Sequence, residues 1–133
     1  MRAVPFLLLL AACSSSSEHL AAPGALGPYS SGVVAGSDVY LSGKIGVADT
    51  RDGPFAAEVE SALDAVAADL KQVGLGWPDV TSVTIHLTDM NLYGTLNDVY
   101  SKRLAPPYPA RTCVGVTALP GGARVEITVI ARL

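Results

Sequence analysis

Arg111 and Glu126 are the side chains best suited to chemistry, and each lies in a strand-like run near the C-terminus. The runs are Ala110–Ala118 and Arg124–Ala131, split by Pro120-Gly121-Gly122. Both alternate, so successive side chains point to opposite faces. Thr112, Val114, Val116 and Ala118 share one face of the first run, and Val125, Ile127, Val129 and Ala131 share one face of the second. These faces are expected to pack on helices. Arg111, Cys113 and Glu126 are then expected on the face away from the helices, where no core-packing reason accounts for a charge. A guanidinium there has a specific use, because its planar fork matches a carboxylate bidentately and a lysine cannot reproduce that geometry. The two histidines offer no metal site: His19 is isolated, and His86 has no partner ligands at a fixed spacing.

The elements that must position these groups are read in chain order. Ala21–Ser30 is rich in Ala, Pro and Gly, an extended lead-in that carries Tyr29. Ser31–Ala35 and Asp38–Ile45 form a hairpin across Gly36-Ser37. Gly43 interrupts the second strand, which marks a bulge or a close approach by another group. Phe55–Val73 is a helix with Val59, Leu63, Val66, Leu70 and Val73 on one stripe. Glu58, Glu60, Asp64 and Asp69 are assigned to its solvent side, and Gly74 stops it. Asp79–Leu87 is a strand, and Asp89 caps a second helix, Met90–Leu104. Two strand–helix–strand units imply a sheet with both helices on one face. The other face would be half apolar, and oligomerisation is the natural way to cover it.

The 133 residues suffice for one domain with a substantial core. A net charge of −3 supplies no basic stripe and argues against nucleic-acid binding. Val4–Ala12 is an apolar run too short to span a membrane, a segment that needs about 20 residues. It reads as the core of an export signal occupying residues 1–12. Leu10-Ala11-Ala12-Cys13 matches a bacterial lipobox. Cys13 is therefore the expected lipidation site, residues 13–20 the lipidated cysteine and a polar tether, and 21–133 the domain. The domain is then exported and anchored to the bacterial membrane through Cys13, facing the periplasm or cell exterior. That leaves Cys113 alone, so a structural disulfide is not expected.

Four ordered blocks give the domain a family likeness. They are AP-x-A-x-GPYS at Ala22–Ser30, VYLSGKI at Val39–Ile45, D-x-x-x-Y-x-x-x-N-x-x-Y from Asp89 to Tyr100, and PAR-T-C-V-G-V followed by LP and VEI-x-x-IA. Together, over roughly residues 21–131, they closely resemble the RidA (YjgF-type) family of reactive-intermediate deaminases. The resemblance implies an α+β, chorismate-mutase-like single domain, with a mixed sheet, two helices on one face and a homotrimeric assembly whose sites lie between subunits. It implies hydrolysis of 2-imino or 2-enamino acids to 2-oxo acids and ammonia, with no cofactor and no metal. Arg111 would grip the substrate carboxylate, Glu126 would position the attacking water, and Tyr29 would close the pocket or share in proton transfer. Gly43 and Cys113 would contribute backbone groups to substrate binding, and Asn97 would help hold the site together as a further binding residue. Where the family usually has Gln, this chain has Lys44, which adds a positive charge near the pocket. Two other readings stay open: a membrane-anchored module that binds small carboxylates without turnover, and RNA cleavage, which the acidic balance disfavours.

Chain connectivity sets a further condition. If the last two strands paired as a tight hairpin across Gly121-Gly122, Glu126 would lie opposite Thr117 and Arg111 would be ~20 Å away. Side chains could not close that gap. The family resemblance implies instead that the last strand is inserted elsewhere in the sheet and that neighbouring subunits share each pocket, so a working site is expected to draw on two chains. The anchor is tested separately. Cys13→Ser is expected to move the protein from the membrane fraction to the soluble fraction without loss of the domain's activity, as read by fractionation and immunoblotting.

Overall fold

The computed structural model describes residues 16–133. The export signal, Cys13 and the first part of the tether lie outside the described residues. The strands are β1 (Glu18–Leu20), β2 (Gly32–Ala35), β3 (Asp38–Leu41), β4 (Lys44–Ile45), β5 (Val80–Leu87), β6 (Ala110–Gly115) and β7 (Val125–Arg132). The helices are α1 (Phe55–Gln72) and α2 (Tyr93–Arg103). The seven strands make one mixed sheet in the order β1-β2-β3-β7-β5-β6, with β4 also paired to β7. Among these pairs only β5–β6 is parallel. Glu18–Leu20, assigned to the tether by the sequence reading, instead pairs with β2 and buries Leu20. An apolar residue at the end of a polar stretch is enough to seat a short edge strand.

Local signals explain the elements. Gly36 has a φ of +63°, as the two-residue loop between β2 and β3 requires. At the end of α1, Gly74 adopts φ +74°. Its N–H bonds the Lys71 carbonyl while the Leu75 N–H bonds Leu70, a Schellman cap. Asp89 accepts a hydrogen bond from the Asn91 N–H at 2.8 Å and starts a 3-10 turn, Met90–Leu92, that leads into α2. Val59, Leu63, Val66 and Leu70 of α1 pack with Leu96 and Val99 of α2 against Val83, Ile85, Val125, Ile127 and Val129, forming one core between helices and sheet.

The last strand does not form a hairpin with the one before it. β7 lies between β3 and β5, and β6 is on the free edge beyond β5. A buried ion pair fixes this arrangement. Glu58 of α1 is fully buried and accepts hydrogen bonds from the Arg124 backbone N–H at 2.7 Å and from its Nε at 2.6 Å. Arg124 Nη2 also donates to the carbonyls of Thr50 and Gly53, and its guanidinium lies 5.4 Å from the centre of the Phe55 ring. Glu58 and Asp69 therefore do not face solvent as the sequence reading assigns them. Each sits at the edge of the apolar stripe, where a partner far along the chain draws it inward.

A second correction concerns the sheet's two sides. The alternation reading puts Arg111 and Cys113 away from the helices, whereas the structure puts them on the helix side. Arg111 is paired with Val83, which is in turn paired with Val129, and both valines are core residues. Thr112 and Val114 point instead to the open face, and Val114 is exposed. Glu126 is on the open face, as expected, in register with His86.

Glu58→Ala is expected to lower stability by roughly 3 kcal/mol, because it leaves the Arg124 guanidinium without its counter-charge. The check is the midpoint of urea unfolding at unchanged slope.

Candidate active site

Within one chain the expected site residues fall into two groups. The first is built around Arg111 on edge strand β6. Its Nη2 donates to Asn97 Oδ1 at 2.7 Å and to the Tyr93 hydroxyl at 3.2 Å, both on α2. The guanidinium lies over the Tyr100 ring, 4.8 Å from its centre, and 5.7 Å from that of Tyr93. Asn97, Tyr100, Tyr108 and Pro109 join Arg111 around a hollow of about 290 Å³. Asn97 thus contacts Arg111 itself, with its carbonyl oxygen already engaged. The sequence reading missed Tyr93 as a partner and took Tyr100 only for a core residue. Their spacing on α2 relative to Asn97 is the signal that could have found them, since residues three and four apart share a helix face.

Cys113 lies two residues further along the same side of β6, half-buried against the core. Burial pushes its thiol up, and the nearby Arg111 charge offsets that only in part. It is thus a poor thiolate and not a candidate nucleophile. Its backbone is better placed. The Val116 N–H bonds the Leu87 carbonyl of β5, so by the two-residue alternation of a strand the N–H and C=O groups of Arg111 and Cys113 point off the free edge. They are open to a ligand or another chain.

The second group lines a cleft of about 750 Å³ on which Tyr29, Gly43, Lys44 and Glu126 all open, together with the Ala21–Gly27 lead-in. Between Tyr40↔Ile130 and Lys44↔Ile127 the pairing register slips by one residue. The slip is a β-bulge at Ser42-Gly43, as the glycine in the strand predicts. It also brings the backbone up to Glu126: a Cβ on Gly43 would lie 2.6 Å from Glu126 Cδ. On the other side of this carboxylate, His86 Nδ1 is 3.4 Å from Oε1.

Lys44 adds less charge to the cleft than expected. Its ammonium is paired with Asp69 of α1 and donates to Ser31 Oγ at 2.5 Å, while Ser31 donates to Asp69. Gln72 Nε2 donates to the other Asp69 oxygen at 3.0 Å. Among the described residues, no three His, Cys, Asp or Glu side chains converge as metal ligands.

The structure does not bring the two groups together. Glu126 is two strands from β6 and opposite Val114 by register, three residues beyond Arg111. That gives a backbone separation of about 14 Å, and the two side chains leave opposite faces of the sheet.

A mixed sheet backed by two helices, with an arginine on its free edge and a carboxylate against a bulge glycine, defines a recognisable class. Residues 19–133 match the family model described as Endoribonuclease L-PSP, and the chain belongs to that family, which includes the RidA proteins. It is similar to the human 2-iminobutanoate/2-iminopropanoate deaminase, at 37% identity over 114 residues covering 83% of each chain. It is also similar to a putative reactive intermediate deaminase, TdcF of Escherichia coli strain K12, at 38% identity, covering 86% of this chain and 93% of TdcF. Among solved structures, RidA from an Antarctic Psychrobacter superposes with a TM-score of 0.78 at 38% identity, over 84% of this chain and 94% of that one. E. coli TdcF with bound serine superposes with a TM-score of 0.75 at 35% identity, over 84% and 93%.

Gly43→Ala is expected to force the Glu126 side chain to a new rotamer and to lower stability by about 1–3 kcal/mol, the usual cost of overpacking. A crystal structure of the variant and its thermal unfolding check both.

Proposed function

We propose that this protein hydrolyses reactive 2-imino and 2-enamino acids to 2-oxo acids and ammonia, at sites completed between neighbouring subunits of a homotrimer. The observation that carries the reading is the division of one chain into two half-sites. One is a cation with a free strand edge, and the other is a carboxylate in a cleft. A neighbouring copy that presents its β6 edge to the Glu126 cleft would unite them. The open sheet face supports such an assembly, because it carries Tyr40 and Val114, both exposed, together with Val33 and Ile130. The curated relatives named as deaminases support the reaction class.

In this site Arg111, held by Asn97 and Tyr93, receives the substrate carboxylate in a bidentate grip. Edge groups of Cys113 and the backbone at Gly43 hold the remaining polar atoms, and Tyr29 covers the cleft. Glu126 takes a proton from water as the oxygen adds to the iminium carbon, giving a carbinolamine. The same proton passes to the nitrogen. Loss of the hydroxyl proton then restores the C=O as the C–N bond breaks and ammonia leaves. Positioning does much of the work, since both reactants are held in one small space. The net charge of −3 argues against a polyanionic substrate. Anchoring through Cys13 is part of the proposal and would place this chemistry outside the cytoplasm.

The test is ammonia and 2-oxo acid release from an enamine generated in situ. Arg111→Lys is expected to lose about a hundred-fold or more in kcat/KM with the trimer intact, because charge remains but the fork does not. Glu126→Gln is expected to bind ligand and not turn over. Mixing the two variants under subunit exchange should restore partial activity, since some interfaces then carry both native residues. No recovery despite exchange would place each site within one chain, and ligand binding without any turnover by the native protein would establish the binding module instead.

A further inference from the structure

Glu126 is enclosed from two sides. Gly43 leaves room for the carboxylate where any side chain would collide with it. On the other side stands His86 of β5, the direct cross-strand partner of Glu126. Its Nδ1 is 3.4 Å from Glu126 Oε1, and the two side chains are 29% and 23% exposed. Nδ1 itself is buried and has no hydrogen-bond partner. A buried ring nitrogen without a partner is costly. The Glu126 carboxylate oxygen, 3.4 Å away, is an acceptor within reach of it.

Among the described residues, Glu126 is the charged group paired with this imidazole. Its neighbour on β6 is Val114. Along the same face of β5 come Thr84 and Thr88, and along β7 comes Thr128. Arg124, two residues before Glu126, has its guanidinium committed to Glu58 and to two loop carbonyls. Lys44 is paired with Asp69.

We propose that His86 is a positioning residue for Glu126: it donates Nδ1–H to Oε1, fixes the carboxylate against Gly43 and leaves Oε2 free to take the proton of the attacking water. The inference rests on the role given to Glu126 under the proposed function. An ionised carboxylate that accepts one fixed hydrogen bond has lost most of its rotational freedom, so the free oxygen meets the water in one geometry.

Two measurements test it. Long-range 1H–15N spectra of the native protein at about pH 8 report which ring nitrogen carries the proton, with the His86 signal assigned by its absence in His86→Leu. The Nδ1–H tautomer is expected, and the Nε2–H tautomer would overturn the proposal. This readout needs no turnover, so it decides the His86–Glu126 contact even if the deamination reading fails. In turnover, His86→Leu is expected to lower kcat about ten-fold with KM nearly unchanged. His86→Asn, whose amide can donate from a similar place, should recover most of kcat. Native kcat in His86→Leu, or no recovery in His86→Asn, would overturn the proposal as well.

Discussion

The buried pair between Glu58 and Arg124 is the constraint on which the remaining geometry depends. The chain reaches Arg124 from a glycine-rich turn and must then enter the middle of a sheet, between two strands laid down much earlier. Glu58 receives both the backbone N–H and the side chain of Arg124, so it sets the position and the direction of the entering strand together. Arg51 adds a second tie by donating to the carbonyls of Gly121 and Gly46. A carboxylate without contact to solvent is expensive unless it is fully paired. Here its pairing is complete, and what the pair secures is register. A slip of one residue in β7 would turn Glu126 into the core and Ile127 into the cleft.

From that register follow the two half-sites. Glu126 faces a bulge whose glycine makes room for it, and Arg111 is left on an edge strand whose backbone points outward. Arg111 is also prepared in advance. Asn97 and two tyrosines hold the guanidinium in place, so little rotamer freedom remains to be lost when a carboxylate arrives. Cation–π contact with Tyr100 stabilises the charge without neutralising it, whereas a carboxylate partner would have occupied the fork.

Much of this was legible in the residues, and what was not has a physical cause. The α1 stripe and the Gly43 bulge follow from periodicity and from the permissive backbone of glycine, and the insertion of the last strand away from β6 came from the family resemblance. Alternation gave the parity of Arg111 but not its side, because on an edge strand both faces carry a similar mixture of apolar and polar residues. Glu58 and Asp69 read like the exposed acids of any amphipathic helix, since the partners that bury them are 66 and 38 residues away. His86 looked isolated for the same reason: its neighbour across the sheet is close only after β7 has found its place. Leu20 was too short a signal to separate an edge strand from a tether.

The Lys44–Asp69 pair also constrains how this cleft can change over generations. Each residue is tolerable because of the other. A neutral side chain at either position alone would leave the remaining charge partly buried, with only Ser31 and Gln72 to share it. The route from a glutamine to a lysine at position 44 therefore passes through an intermediate less stable than either end, in which one charge is present without the other. The two sites behave as one inherited unit, and the floor of the cleft can be rewritten only in two-residue steps.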